Sequence, residues 1–169
     1  QNLFSKDSRG TAVIPLGKSR YGDQNSNFDG GYSIKSVKVD GKPAKFLVVD
    51  ARMQIDLDKT IKSRGGLAKI EVVYSFVAPK LGADRMGVLE TKNGKIFTLA
   101  QWFPRMCVYD DIMGWNTLPY LGAGEFYLEY GDVTASITVP SNHYVVASGE
   151  LLNPKEVYSV KENERWEQA

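Results

Sequence analysis

Apolar and polar residues alternate along most of this chain, with the period-2 spacing of half-buried β-strands. Met53, Ile55 and Leu57 alternate with Gln54, Asp56 and Asp58. Ile70, Val72, Tyr74 and Phe76 form a second alternating set, and Phe126, Leu128 and Tyr130 a third. Val133, Ala135, Ile137 and Val139 repeat the pattern until Pro140 ends it, and Tyr144 to Ala147 is a shorter run of the same kind. The turn residues agree. Asp40-Gly41 predicts a hairpin joining a strand over 33–39 to one over 44–49, and Asn93-Gly94 predicts one joining 88–90 to 95–99, because both dipeptides tolerate positive φ. Gly65-Gly66, Gly122-Ala123-Gly124 and Gly131-Asp132 punctuate other strand ends. Together these elements predict an all-β fold of antiparallel sheets packed as a saddle or sandwich.

The two ends depart from the pattern. Residues 1–31 are polar and Gly-rich, with only Thr11 to Leu16 strand-like, and predict an irregular surface segment. From Pro154 the chain becomes charged, and Ser159 with Glu162 has capping-box spacing, so a short helix is expected over 161–168. The expected organisation is one β domain over 1–154, then a charged, partly helical segment over 155–169. That segment reaches Ala169 without a stop signal, as a chain that continues would.

Composition narrows the functional classes. With 169 residues, 43% of them hydrophobic and 11% aromatic, the chain is sized and composed for one domain with its own core. The 21 basic and 20 acidic residues are spread evenly, for a net charge of +1, which provides no field to steer nucleic acid or an anionic membrane. No apolar run approaches the roughly 20 residues of a membrane-spanning helix, and no signal-peptide pattern is present. Cys107, the single cysteine, lies between Met106 and Val108 and is expected to be a buried apolar side chain rather than a reactive thiol.

Candidate chemistry is sparse. A catalytic zinc site needs three protein ligands, and a chain with one histidine, His143, and no His-Glu-x-x-His is not expected to hold one. His143 sits in Pro140-Ser141-Asn142-His143-Tyr144, where a turn or surface histidine is expected in preference to the base of a serine triad. Asp110 and Asp111 are adjacent and would point to opposite sides of extended backbone. The aspartate before Ile112-Met113-Gly114-Trp115 is better read as capping a turn or pairing with a base such as Arg105. Glu125 and Glu129 would share a strand face, as solvent-facing residues commonly do, so no glycosidase pair is assigned. Gly122-x-Gly124 precedes a strand rather than a helix, which excludes a phosphate loop. Aromatics are dense between Trp102 and Tyr130. They suit either packing or a sugar-stacking platform built on Trp102, Trp115 or Tyr120.

One resemblance goes further. Thr98-Leu99-Ala100-Gln101 followed by Arg105 and the acidic Asp110-Asp111, then Thr138-Val139-Pro140 through Ser148-Gly149-Glu150-Leu151, resembles the non-catalytic saddle-shaped β domain of aminopeptidase N-like zinc metallopeptidases. The likeness is closest to large bacterial members, through Gln101-Trp102-Phe103-Pro104-Arg105-Met106, Gly114-Trp115-Asn116 and Gly124-Glu125-Phe126-Tyr127. It is specific over 98–154, with 28–78 fitting as the preceding strands. The family's Asp-Glu-Pro ending is replaced by Asp110-Asp111-Ile112, and its opening and closing strands fall outside Gln1–Ala169.

The resemblance implies that this chain holds no catalytic residue and no metal, and that the zinc belongs to a catalytic domain encoded downstream. It implies as partners that catalytic domain and the N-terminus of a peptide substrate, with no nucleic acid and no membrane. Gln101 occupies the position that helps bind the substrate's free α-amino group, a role its side-chain carbonyl suits as an acceptor. An extracytoplasmic location is favoured by likeness to bacterial relatives alone. From other classes, a β-sandwich carbohydrate-binding module and a purely structural envelope protein remain as alternatives.

Overall fold

The computed structural model describes residues 31–49, 51–79, 85–118 and 127–168. The predicted strand at Thr11 to Leu16, Tyr120, the Gly122-Ala123-Gly124 turn, Glu125 and Phe126 lie outside them. The chain divides into two units, Gln1–Tyr130 and Gly131–Ala169.

The first unit is built of strands in small antiparallel sheets. β1 (Ser33–Val39) is followed by β2 (Lys42–Pro43), with the two-residue loop Asp40-Gly41 between them. Both loop residues have positive φ, 49° and 80°, the backbone that a tight hairpin of right-handed twist requires. The Asp40 carboxylate accepts from the Lys69 N–H at 2.9 Å, fixing the turn against the start of β5 (Ile70–Ser75). β5 pairs with β1 from Ser33↔Ser75 to Val39↔Ile70, with an irregularity between Ile34 and Ser36, giving the order β2-β1-β5. On β5 the alternation predicted from sequence is visible in burial: Val72 and Tyr74 are half-buried while Glu71, Val73 and Ser75 are exposed.

The expected hairpin of 33–39 with 44–49 is corrected. The ladder with β1 runs to Pro43 and ends one bond later, where the Ala44 N–H donates to the Val37 carbonyl at 3.0 Å. The following apolar run becomes β3 (Phe46–Val49) and pairs instead with β4 (Arg52–Ile55), Phe46 opposite Ile55. β4 ends at Ile55, so the alternation continues through Leu57 without a ladder.

β6 (Met86–Thr91) and β7 (Gly94–Leu99) form the next hairpin, in register from Met86↔Leu99 to Thr91↔Gly94. Its loop is Lys92-Asn93, one residue earlier than the Asn93-Gly94 expected, and Gly94 alone carries the positive φ, 126°. Thr91 closes the loop, its hydroxyl donating to the Gly94 carbonyl at 2.8 Å and accepting from the Asn93 N–H at 3.2 Å. β8 (Tyr109–Asp110) and β9 (Gly114–Trp115) make a last short pair, and Cys107 bridges to Leu128.

Burial centres on two valines, Val37 in β1 and Val108 just before β8. Cys107 is half-buried beside Val108. Many large apolar side chains of the hairpins are exposed, among them Leu47 and Leu89, each about 60% accessible.

The second unit contains α1 (Pro154–Val157) and α2 (Val160–Glu167). Proline opens α1, where its missing N–H costs nothing. α2 has the predicted capping box. The Ser159 hydroxyl accepts from the Glu162 N–H at 3.4 Å, and Glu162 Oε2 accepts from the Ser159 N–H at 2.9 Å and hydroxyl at 2.6 Å. Glu162 Oε1 accepts from the Tyr144 hydroxyl at 2.6 Å, tying the upstream segment to the helix start. These bonds hold the Glu162 carboxyl at a pKa of about 2, the Ser159 hydroxyl contributing most.

The strands expected over 133–139 and 144–147 do not form. Alternation sets which face a side chain takes, but a strand also needs a partner ladder, and these exposed segments have none among the described residues. No described helix is long and apolar enough to cross a membrane.

Candidate functional site

The site begins where β7 ends. The Ala100 N–H donates to the Arg85 carbonyl at 3.1 Å, closing the hairpin, and the next residue, Gln101, lies in the left-handed region at φ 53°. That conformation is uncommon for a residue with a Cβ, and glutamine lacks the short side chain with which Asn and Asp compensate for it. It turns the chain out of the β7 direction. Gln101 Oε1 accepts from the Arg85 guanidinium at 3.4 Å, a long bond that leaves a second lone pair on the oxygen and both amide N–H groups.

Trp102 follows, held by its backbone. Its carbonyl accepts two hydroxyls, from Tyr32 at 2.8 Å and from Tyr74 at 3.0 Å. The β1–β5 register brings those tyrosines together: the ladder ends with Ser33 opposite Ser75, which leaves Tyr32, just before β1, beside Tyr74 and Phe76. The Tyr32 and Tyr74 rings are 4.7 Å apart, and Tyr32 and Phe76 are 5.6 Å apart. Burial raises the pKa of both tyrosines, and the charge of Tyr74 raises that of Tyr32 further, so both hydroxyls stay protonated as donors. The Trp102 indole meets Phe103 edge-on at 5.3 Å. An open groove of about 460 Å³ runs here, lined by Val72, Val73, Tyr74, Ser75, Phe76 and Trp102.

The other candidates fall into structural roles. Asp110 caps the β8–β9 turn, Oδ1 accepting from the Ile112 N–H at 3.0 Å and the Met113 N–H at 2.6 Å, and Oδ2 from the Tyr127 hydroxyl at 3.3 Å. The Met113 N–H is the main cause of its lowered pKa. Arg105 does not pair with it. Its guanidinium donates instead to the Glu129 carbonyl at 2.9 Å, joining the segment before β8 to the one around the Cys107–Leu128 bridge. Trp115 stacks edge-on against its cross-strand partner Tyr109 at 5.1 Å. His143 follows a turn closed by its N–H to the Pro140 carbonyl at 2.9 Å, and its Nδ1 lies 2.9 Å from Asn142 Oδ1. Among the described residues no group of three or more His, Cys, Asp or Glu could hold a metal ion.

Sequence reasoning singled out Gln101 but missed Tyr32, Tyr74 and Arg85 as its surroundings. The Tyr74-x-Phe76 pair on one strand face was the available signal. Tyr32 only gains meaning once β1 and β5 are in register. No protein-family model matches this chain, and no curated protein or solved structure does either.

Proposed function

We propose that this chain is the non-catalytic N-terminal β domain of a zinc metallo-aminopeptidase, its sheets packing as the saddle that borders the catalytic domain. In this reading the zinc and the catalytic residues belong to that second domain, and Gln101 takes part in holding the free α-amino group of a peptide substrate. The observation that carries it is the backbone of Gln101. A non-glycine residue in a sparsely populated conformation persists only where its surroundings hold it, and such residues concentrate at ligand sites. Here the hold comes from the double hydroxyl clamp on the next carbonyl. An ammonium group would take the free lone pair of Gln101 Oε1 or displace the long Arg85 bond.

The exposed apolar faces support the packing role. Covering one leucine-sized side chain stabilises by roughly 1.5–3 kcal/mol, so residues such as Leu47, Leu89 and Met106 favour association with a second domain.

The test uses the enzyme encoded by the whole reading frame. It is expected to contain a His-Glu-x-x-His helix within a few hundred residues after Ala169, and Gln101→Ala is expected to raise KM for peptides with a free amine. Absence of the motif defeats the family reading, and an unchanged KM defeats the role of Gln101. A carbohydrate-binding module is the second reading, supported by the accessibility of Trp102 and Trp115, 36% and 54%. It predicts a positive glycan array for this chain alone.

A further inference from the structure

We infer that Asn93-Gly94, at the tip of the β6–β7 hairpin, is a self-modification site at which water replaces ammonia on the asparagine side chain, giving isoaspartate or aspartate. It is the one Asn-Gly dipeptide of the sequence. The Gly94 nitrogen gives its proton to water or hydroxide and attacks Asn93 Cγ. The new N–Cγ bond closes a cyclic imide, and the Cγ–Nδ2 bond breaks with Nδ2 leaving as ammonia. Water then opens the imide. Cleavage at Cγ restores the main chain and leaves aspartate, whereas cleavage at the Asn93 carbonyl carbon leaves isoaspartate, with the main chain running through Cβ. Nothing is oxidised or reduced, and water is the co-reactant.

The structure selects this residue from the five asparagines among the described residues. Asn116 Oδ1 accepts from the Leu118 N–H at 3.3 Å, and Asn142 Oδ1 lies 2.9 Å from His143 Nδ1. The Asn153 amide donates to Glu156 at 2.9 Å, and its neighbour Pro154 has no N–H to lose. The Asn163 amide donates to Glu167 at 2.8 Å within α2. Asn93 instead lies in a stretch, Leu89 to Leu99, that is exposed at every position, so water reaches its Cγ. Gly94 follows it at φ 126° with no Cβ and open space where one would stand, so nothing crowds the closing ring.

Ring closure also rotates the backbone between the two residues, which opens the Thr91↔Gly94 pair. That pair is the last of its ladder, where opening costs least. Asp40-Gly41 could close the same ring from a carboxyl group and is the internal contrast. Its turn is pinned to the start of β5 twice, by the Lys69 N–H on Asp40 Oδ1 at 2.9 Å and by the Asp40 N–H on the Lys69 carbonyl at 2.8 Å.

Either product adds one carboxylate, which takes the formal net charge from +1 to 0. Isoaspartate also adds a backbone atom to a two-residue loop whose length sets the register, so the hairpin loosens from its tip. Older copies of the chain thus carry a frayed form of the hairpin that leads into Gln101. The modification is independent of what Gln101 binds.

The experiment holds the 169-residue chain at mildly alkaline pH and body temperature, folded in one arm and unfolded in guanidinium chloride in the other. Isoelectric focusing follows the acidic form. Mass spectrometry of fragments cut after glutamate, with electron-transfer fragmentation, locates isoaspartate and distinguishes it from aspartate. Isoaspartate is expected first in the fragment that begins at Thr91. Its rate of formation in the folded chain is expected to lie within about tenfold of the unfolded rate, the cost of fraying one end pair. Asn93→Gln, whose longer side chain disfavours the imide, is expected to remove the early acidic form. A folded rate more than about tenfold below the unfolded rate would mean that the tip is locked, and it overturns the proposal. So does first conversion at Asp40 or another asparagine, aspartate without isoaspartate at position 93, or an early acidic form that persists in Asn93→Gln.

Discussion

The clamp on the Trp102 carbonyl makes a quantitative prediction. A neutral hydrogen bond contributes about 0.5–1.5 kcal/mol net, and an acceptor left with no partner costs more than the loss of one bond of two. Either Tyr32→Phe or Tyr74→Phe leaves one donor, at 3.0 or 2.8 Å, and should cost about 0.5–1 kcal/mol. Removing both hands the carbonyl to water alone. With Trp102 about one-third accessible, water reaches it incompletely, and the second removal should cost about 0.5 kcal/mol more than the first. In urea, with a slope of about 2 kcal/mol per molar, each single variant should lower the midpoint by about 0.3–0.5 M and the double variant by about 1 M. Midpoints within about 0.1 M of the parent, or strictly additive losses, would show that the carbonyl is solvated and the clamp holds nothing. A pH arm checks the sign. Both tyrosines have raised pKa values in the folded state, so their contribution is present below pH 10 and is lost as pH rises past it. Stability should fall above pH 10 in the parent and stay flatter in the double variant.

Three further outcomes are expected. Glu162 is a carboxylate whose folded pKa, about 2, lies below its ordinary value, so its contribution is present above about pH 4.5 and lost as pH falls toward 2; far-ultraviolet circular dichroism should show α2 unravelling over that window, and Glu162→Gln should abolish the pH dependence. Gln101→Gly removes the left-handed penalty and should raise stability by about 1 kcal/mol, while a fall in thermal midpoint would mean that the glutamine's own bonds outweigh its backbone cost. Gly41→Val has open space for its side chain but places a β-branched residue at φ 80°, so it should cost about 1–2 kcal/mol by urea unfolding, and a neutral result would mean that the β1–β2 turn re-forms differently.

Strand character and turn positions were legible because they depend on neighbouring residues. The alternation over β5, the Asp40-Gly41 turn and the Ser159–Glu162 cap are all local, and each is found as read. Partner choice was not legible, since it depends on groups far apart in sequence. The run 46–49 was assigned to β1 and pairs instead with β4, the partner it reaches across a loop of only two residues. The alternation over 133–139 finds no ladder. At the candidate site, Gln101 was singled out through a resemblance, whereas the two tyrosines on the adjacent carbonyl come together only through the β1–β5 register.

The pairing of β1 with β5 also bears on how quickly this unit assembles. The hairpins β3–β4 and β6–β7 close loops of only two residues, and such contacts form in microseconds. Joining Val39 to Ile70 encloses about 30 residues and must wait for a rarer encounter. β3–β4 lies inside that enclosed stretch, so once formed it shortens the effective loop by about one-third and lowers the closure cost by about 0.3 kcal/mol. A substitution that weakens β3–β4 should therefore slow the docking of β5, a strand of another sheet, and delay the appearance of the tyrosine clamp that depends on it.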